Sequence, residues 1–203
     1  MLTKRNNMFL NTLGLFFITL AILAVYNTIK KGNLEGIFWF CYLGLLLIGI
    51  GILLRNGTIL ASQLNILIIP LIVWAIDFSS YFLIGGRTIF GFTEYMFVEG
   101  RVGEKLISLQ HLFTIPLSLY ALKLIKLKNK STWKISIAQL VALSIVVLLF
   151  TSKETNINCI YSSCLNFLNT NSSYPLIWIS AVLIIIYSTS KIINKFFLSK
   201  SSE

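Results

Sequence analysis

Six runs of apolar residues, each close to the ~20 that a helix needs to cross a bilayer, leave this chain little choice of fold. They are Phe9–Tyr26, Ile37–Leu54, Ile59–Ile84, Leu106–Ile125, Ile135–Thr151 and Tyr174–Ser190. Only 12% of the 203 residues are charged and mean hydropathy is +0.82, against roughly 25% charged in soluble domains. The expectation is an all-α, polytopic transmembrane helix bundle of six spans, forming one integral membrane domain over residues 1–203.

The formal net charge of +10 is a matter of position here, not of nucleic-acid binding. With six spans, both termini share a side with the Arg55 turn and the Lys123–Lys134 loop. That side carries 11 of the 17 Lys and Arg and one acid, Glu203; the other carries six, with Glu35, Glu94, Glu99, Glu104 and Glu154. Lys and Arg gather on the cytoplasmic side of membrane proteins, so both termini are expected in the cytoplasm of a multi-pass protein of the inner (plasma) membrane. Trp39 and Trp178 at outer helix starts and Trp133 at an inner one fit an interfacial aromatic belt. The first run follows Lys4-Arg5 as in a signal peptide, but it is longer than an h-region and no small-x-small site precedes Lys30, so it reads as a retained span.

Cys41 lies within the second run and reads as a packing residue. Cys159 and Cys164 share the last outer loop, either as a disulfide in an oxidising compartment or as two thiols. Their spacing is not that of a redox C-x-x-C. Pro175 opens the sixth span, whereas Pro70 and Pro116 fall inside the third and fourth and should kink them. Gly44, Gly49 and Gly51 point to close helix packing. The outer segment Gly85–Glu104 has five glycines together with Phe90, Phe92, Tyr95, Met96 and Phe97; it is too apolar for a solvated linker and should fold back on the bundle as a cap. The lysine-rich inner loop sets topology and attracts anionic headgroups.

Asp77, the one Asp, and His111, the one His, both lie inside apolar runs, where an ionisable group is costly enough to mark a candidate functional site. At helical rise, Asp77 is ~12 Å and His111 ~9 Å below the outer helix ends, so both fall in the outer half of a ~30 Å core. Ser108, His111, Thr114 and Ser118 share one arc of the fourth span, and Trp74, Asp77, Ser80 and Tyr81 one face of the third. If these stripes oppose, Asp77 orients His111 for acid–base chemistry. The alternatives are a contact that simply joins helices, or a carboxylate capped by backbone N–H groups of the glycine-rich loop. Glu94 and Tyr95 in that loop, and Glu154, Asn156 and Asn158 beyond the fifth span, also gather on the outer side; the inner half offers only Gln63 and Asn65. One His and one Asp are too few for a zinc site, and nucleotide, hydrolase-elbow and zinc-protease motifs are absent, so no metal or cofactor is expected.

The strings WAIDF (Trp74–Phe78), GFTEYMF (Gly91–Phe97), LISLQH (Leu106–His111) with Pro116 after it, and ETNIN (Glu154–Asn158) together resemble an uncharacterised family of small bacterial polytopic membrane proteins. The likeness covers most of the chain from the second span onward and departs at Cys159, where an aromatic residue is usual. It implies that Asp77, Tyr95, His111, Glu154, Asn156 and Asn158 are the motif residues, and it supplies no activity. In layout alone, a late His followed by Pro is similar to the six-helix lipid hydrolases of the androgen-induced family, whose Thr nucleophile has no counterpart here.

The functional expectation is a membrane protein with an outward-facing polar pocket, a membrane-embedded hydrolase-like enzyme acting on a lipid or apolar substrate. His111 and Asp77 would be catalytic, and Tyr95, Glu94, Glu154, Asn156, Asn158, Trp74 and Thr114 would bind substrate. Expected partners are the lipid bilayer, a lipid or small molecule in the outer-leaflet pocket, and other membrane subunits. The alternatives are a transporter for small solutes, ions or protons, and a non-catalytic scaffold.

Overall fold

The computed structural model describes residues 2–100, 102–165 and 171–198, and these are helical with no strand among them. Seven α-helices follow one another: α1 (Lys4–Lys30), α2 (Phe40–Leu53), α3 (Gly57–Leu83), α4 (Val102–Ser108), α5 (Gln110–Ile125), α6 (Thr132–Phe150) and α7 (Tyr174–Phe197), with 3-10 turns at Leu34–Phe38, Glu94–Met96 and Ile157–Cys159. Four of them, α1, α3, α6 and α7, are long and apolar enough to cross a membrane. The second run shortens to the 14 residues of α2 because its start is taken up by the 3-10 turn and by Trp39, whose extended backbone (ψ 132°) cannot belong to a helix. The fourth run divides at Leu109 into α4 and α5. α1 and α7 instead continue into charged residues at their ends, since a helix can extend into water where an apolar run stops.

Local chemistry fixes the ends. The Thr3 side chain accepts from the Asn6 N–H at the start of α1, and Asn56 Oδ1 accepts from Thr58 (3.0 Å) and Ile59 (3.1 Å) at the start of α3. Each satisfies backbone donors that the first helical turn leaves free. α3 is the central helix: α2, α5, α6 and α7 all pack on it, and Leu60, Leu64, Gln63 and Asn65 are among its fully buried residues. α1 crosses α2 at Gly14 and Gly49. A Cβ at Gly49 would lie 2.7 Å from the Gly14 carbonyl oxygen, and one at Gly14 3.1 Å from that of Gly49, so the two backbones meet where neither carries a side chain.

The charged segments separate as the sequence reads. Arg55 binds the Asn7 carbonyl (3.1 Å) and Asn11 Oδ1 (2.7 Å). The Leu127 N–H donates to the Phe197 carbonyl (3.3 Å), and Asn194 Nδ2 to that of Lys130 (2.9 Å). These contacts gather the N-terminal segment, the Arg55 turn, the basic loop and the end of α7 at one end. At the other, Lys31 pairs with Glu104 at 2.5 Å, and Glu35 accepts from the Ser152 N–H (2.8 Å), the Ser152 hydroxyl and the Thr155 hydroxyl. Cys159 and Cys164 form a disulfide at this second end.

The half nearer the basic end is more polar than expected. Asn65 Nδ2 donates to the Thr132 and Ser136 hydroxyls, each at 3.1 Å. Ser136 donates to the Ser62 carbonyl (2.8 Å) and Thr189 to that of Asn65 (2.8 Å). Gln63 and Gln139 pair side by side at 2.8 and 3.0 Å. This network ties α3 to α6 and α7, and Asn65 Oδ1 remains buried with no partner.

Candidate functional site

α3 ends by reversing the chain. The Ile84 N–H returns to the Ser80 carbonyl and the Gly86 N–H to that of Tyr81, each at 2.9 Å, with Gly85 (φ 71°) and Gly86 (φ 85°) in the left-handed region that such a helix stop favours. The loop then folds back over α3, as its apolar composition predicts. Its anchor is Asp77, fully buried. Oδ1 accepts from the Phe90 N–H at 2.6 Å, and Oδ2 from the Thr93 N–H at 2.8 Å and the Thr93 hydroxyl at 2.9 Å. Ser80 adds a second tie, donating to the Asp77 carbonyl (2.7 Å) and accepting from the Ile89 N–H (3.1 Å). Phe97 stacks on Tyr81 with ring centroids 3.5 Å apart.

This corrects the expected acid–base pair. No hydrogen bond joins Asp77 to His111 among the described residues; both carboxylate oxygens are engaged by the loop. A backbone that leaves a helix and folds back over buried surface needs acceptors for its N–H groups, and the carboxylate supplies them.

His111 lies against Trp74, centroid to centroid 4.7 Å. Trp74 Nε1 donates to the Tyr95 hydroxyl (3.3 Å), which donates to Ser108 Oγ (2.8 Å). Burial pushes the Tyr95 phenol above its ordinary value, against the opposing pull of the Ser108 and Trp74 bonds. Trp74, Tyr95, Ser108 and His111 thus form one cluster beneath the loop. His111 Nδ1 is buried with no hydrogen-bond partner. Beside it, Gln110 is 1% exposed, and its Nε2 has no partner. The Thr114 hydroxyl shares its one proton between the Gln110 backbone carbonyl (2.7 Å) and Oε1 (2.6 Å). Ser118, further along the same face, is fully buried with an unpartnered hydroxyl. Gln110, His111, Thr114 and Ser118 span an arc of about 100° at helical periodicity. Gln110 is absent from the sequence-level stripe; a Gln directly before the one His of the span was its available signal.

The remaining expected residues go elsewhere. Glu94 is exposed and takes a long contact of 3.5 Å from the Thr88 hydroxyl; Glu154 is exposed. Asn156 holds its own loop, accepting from the Tyr161 (3.0 Å) and Ser162 (3.1 Å) N–H groups and donating to the Ser162 carbonyl (2.9 Å). Asn158 clamps the start of α2, accepting from the Phe40 N–H at 2.8 Å and donating to the Phe38 carbonyl at 2.9 Å. Both asparagines sit at positive φ, 43° and 58°, which Asn tolerates better than most residues. The ETNIN string therefore builds a joint between α2 and α6, and its asparagine amides are occupied by backbone. An open apolar groove lined by Ile72, Ile76, Ser79, Ser80, Leu83 and Ile89 runs along α3, reaching the Ser80–Ile89 tie but not Trp74 or His111.

Compared with protein families, curated proteins and solved structures, the chain matches none.

Proposed function

We propose that this chain crosses the membrane six times, and that its outer half holds a binding site for a small polar ligand or the polar group of a lipid. The second crossing would combine residues 37–39 with α2, and the fourth the last turn of α4 with α5. Two features favour a cytoplasmic basic end: the 11-to-6 division of Lys and Arg, and a disulfide at the opposite end, where an oxidising compartment would keep it. Reporter fusions test this: Arg55 and Lys128 should report cytoplasm and Gly100 should not. A periplasmic signal at Lys128 overturns the six-span arrangement.

The observation that carries the binding reading is the Gln110 amide nitrogen, buried beside His111 with no protein acceptor. Buried polar groups are almost always satisfied, so this donor marks a place for a guest that accepts hydrogen bonds. A hydrolase using His111 as general base is the catalytic form of the same reading. It has less support, because Asp77 serves the loop and the Thr114 hydroxyl donates to Gln110. Transport is the second reading, favoured by the Asn65 network, which gives the inner half the polar groups a solute path needs.

The test is thermal stability of the purified chain against a panel of lipids and small polar solutes. A ligand of this site should stabilise wild type and not His111→Ala or Gln110→Leu. Without ligand, Gln110→Leu should be neutral or stabilising if the amide is dry, since removing an unpaired buried donor removes its penalty. Equal ligand shifts in wild type and both variants refute the site.

A further inference from the structure

At the basic end, α6 and α7 bring two cations and two aromatic rings together. The Trp133 and Tyr187 rings meet edge to face, centroids 6.2 Å apart. Lys134 Nζ lies 5.8 Å from the Trp133 centroid, and Lys191 Nζ 5.1 Å from that of Tyr187. Both distances are within the ~6 Å reach of a cation–π contact. Each lysine is exposed, and neither has a carboxylate partner among the described residues. Among the described residues no acidic side chain lies at this end. The positive charge is thus set against rings, with no acid opposing it among the described residues.

The surfaces leading away from these lysines are apolar. On α6, Val141 is seven residues from Lys134 and so shares its face; on α7, Ile184 stands in the same relation to Lys191. Both are exposed. A cationic, aromatic-lined head above an apolar face is the chemistry that holds a lipid with an anionic headgroup: lysines contact the phosphate, aromatic rings sit at headgroup level, and the acyl chains follow the helix surface.

We propose that Lys134 and Lys191, held on the Trp133–Tyr187 pair, bind the phosphate of an anionic glycerophospholipid in the leaflet at the basic end. The site is independent of the His111 cluster and needs only that α6 and α7 be embedded.

The experiment uses the full chain purified in detergent, with bound lipid counted by native mass spectrometry during titration with phosphatidylglycerol, phosphatidylcholine or inorganic phosphate. Wild type should retain phosphatidylglycerol in preference to phosphatidylcholine. At about fivefold per lysine, Lys134→Gln with Lys191→Gln should weaken that retention about 30-fold. Lys4→Gln with Lys123→Gln removes as much charge from the same end and should leave it within about twofold. The paired Lys→Arg variant keeps both charges and should keep binding, which separates loss of the site from loss of fold. Equal weakening by the control pair means diffuse attraction and overturns the proposal. Retention unchanged in Lys134→Gln with Lys191→Gln overturns it too, as does inorganic phosphate displacing the lipid at equal concentration.

Discussion

Replacing Asp77 by Asn changes one atom and should release the outer loop. The carboxylate accepts from two backbone N–H groups and one hydroxyl; an amide has one oxygen to offer. If that oxygen stays with Phe90, the new NH2 faces the Thr93 N–H. If it turns to Thr93, the NH2 faces the Phe90 N–H. Either way one buried backbone donor is orphaned, at about 1–3 kcal/mol, and the surviving bonds lose their charge assistance, about half their strength. Relief of a desolvated negative charge works in the other direction. The balance is a loss of about 2 kcal/mol in loop docking, or roughly a 30-fold rise in the open population. Hydrogen-exchange mass spectrometry on peptides covering residues 86–97 reads this directly, because the Phe90 and Thr93 amides are the reporters. Their protection should fall about 30-fold, while peptides from α6 and α7 stay unchanged. Unchanged protection at Phe90 and Thr93 in a folded Asp77→Asn protein would refute the assignment of Asp77 to the loop and return it to the pairing with His111.

Asn158→Gly keeps the left-handed backbone but loses both bonds to Phe38 and Phe40, so it should cost about 1–3 kcal/mol, read as a lower midpoint of thermal unfolding. Gly49→Ala places a methyl against the Gly14 carbonyl and should cost a similar ~1–3 kcal/mol through displacement of α1 from α2; an unchanged midpoint would mean the crossing yields freely. The Glu35 carboxyl is held below its ordinary value first by the Thr155 hydroxyl and then by the Ser152 N–H. A depressed carboxylate stabilises above its unfolded value and loses that contribution as pH falls through its folded value. Protection of the Ser152 amide, corrected for intrinsic exchange, should therefore decline on acidification below the ordinary carboxylate range, and Glu35→Gln should abolish this pH dependence.

Composition and run length carried the helices, because burial in lipid needs long apolar runs and little else. The same signal blurred at α2 and at Leu109, where the chain stays apolar while the backbone leaves or interrupts the helix. Position along the bundle was legible too: Asp77, Tyr95 and His111 lie toward the same end. Partners were not. Helical periodicity gives the direction of Asp77 on α3, but not whether a loop thirteen residues on or a neighbouring helix fills that direction. The loop prevails through proximity along the chain and its several N–H groups. The Asn65 network escaped notice because Ser and Thr in an apolar run barely lower its hydropathy; only after α6 and α7 pack on α3 do their hydroxyls converge.

Asp77 also bears on how the protein enters the membrane. An Asp at the centre of an inserting helix is disfavoured by roughly 2.5–3.5 kcal/mol on insertion scales, and by less toward its ends; if α3 crosses a membrane, it must carry Asp77 through six residues from its end. The groups that satisfy it are at Phe90 and Thr93, encoded directly after α3 and before α5, α6 or α7 exist to help. On the six-span reading, compensation becomes available as soon as the segment through Thr93 has left the ribosome and reached the far side. Helix and loop form a self-sufficient insertion unit, whereas the hydroxyls that answer Asn65 arrive only with the last two helices.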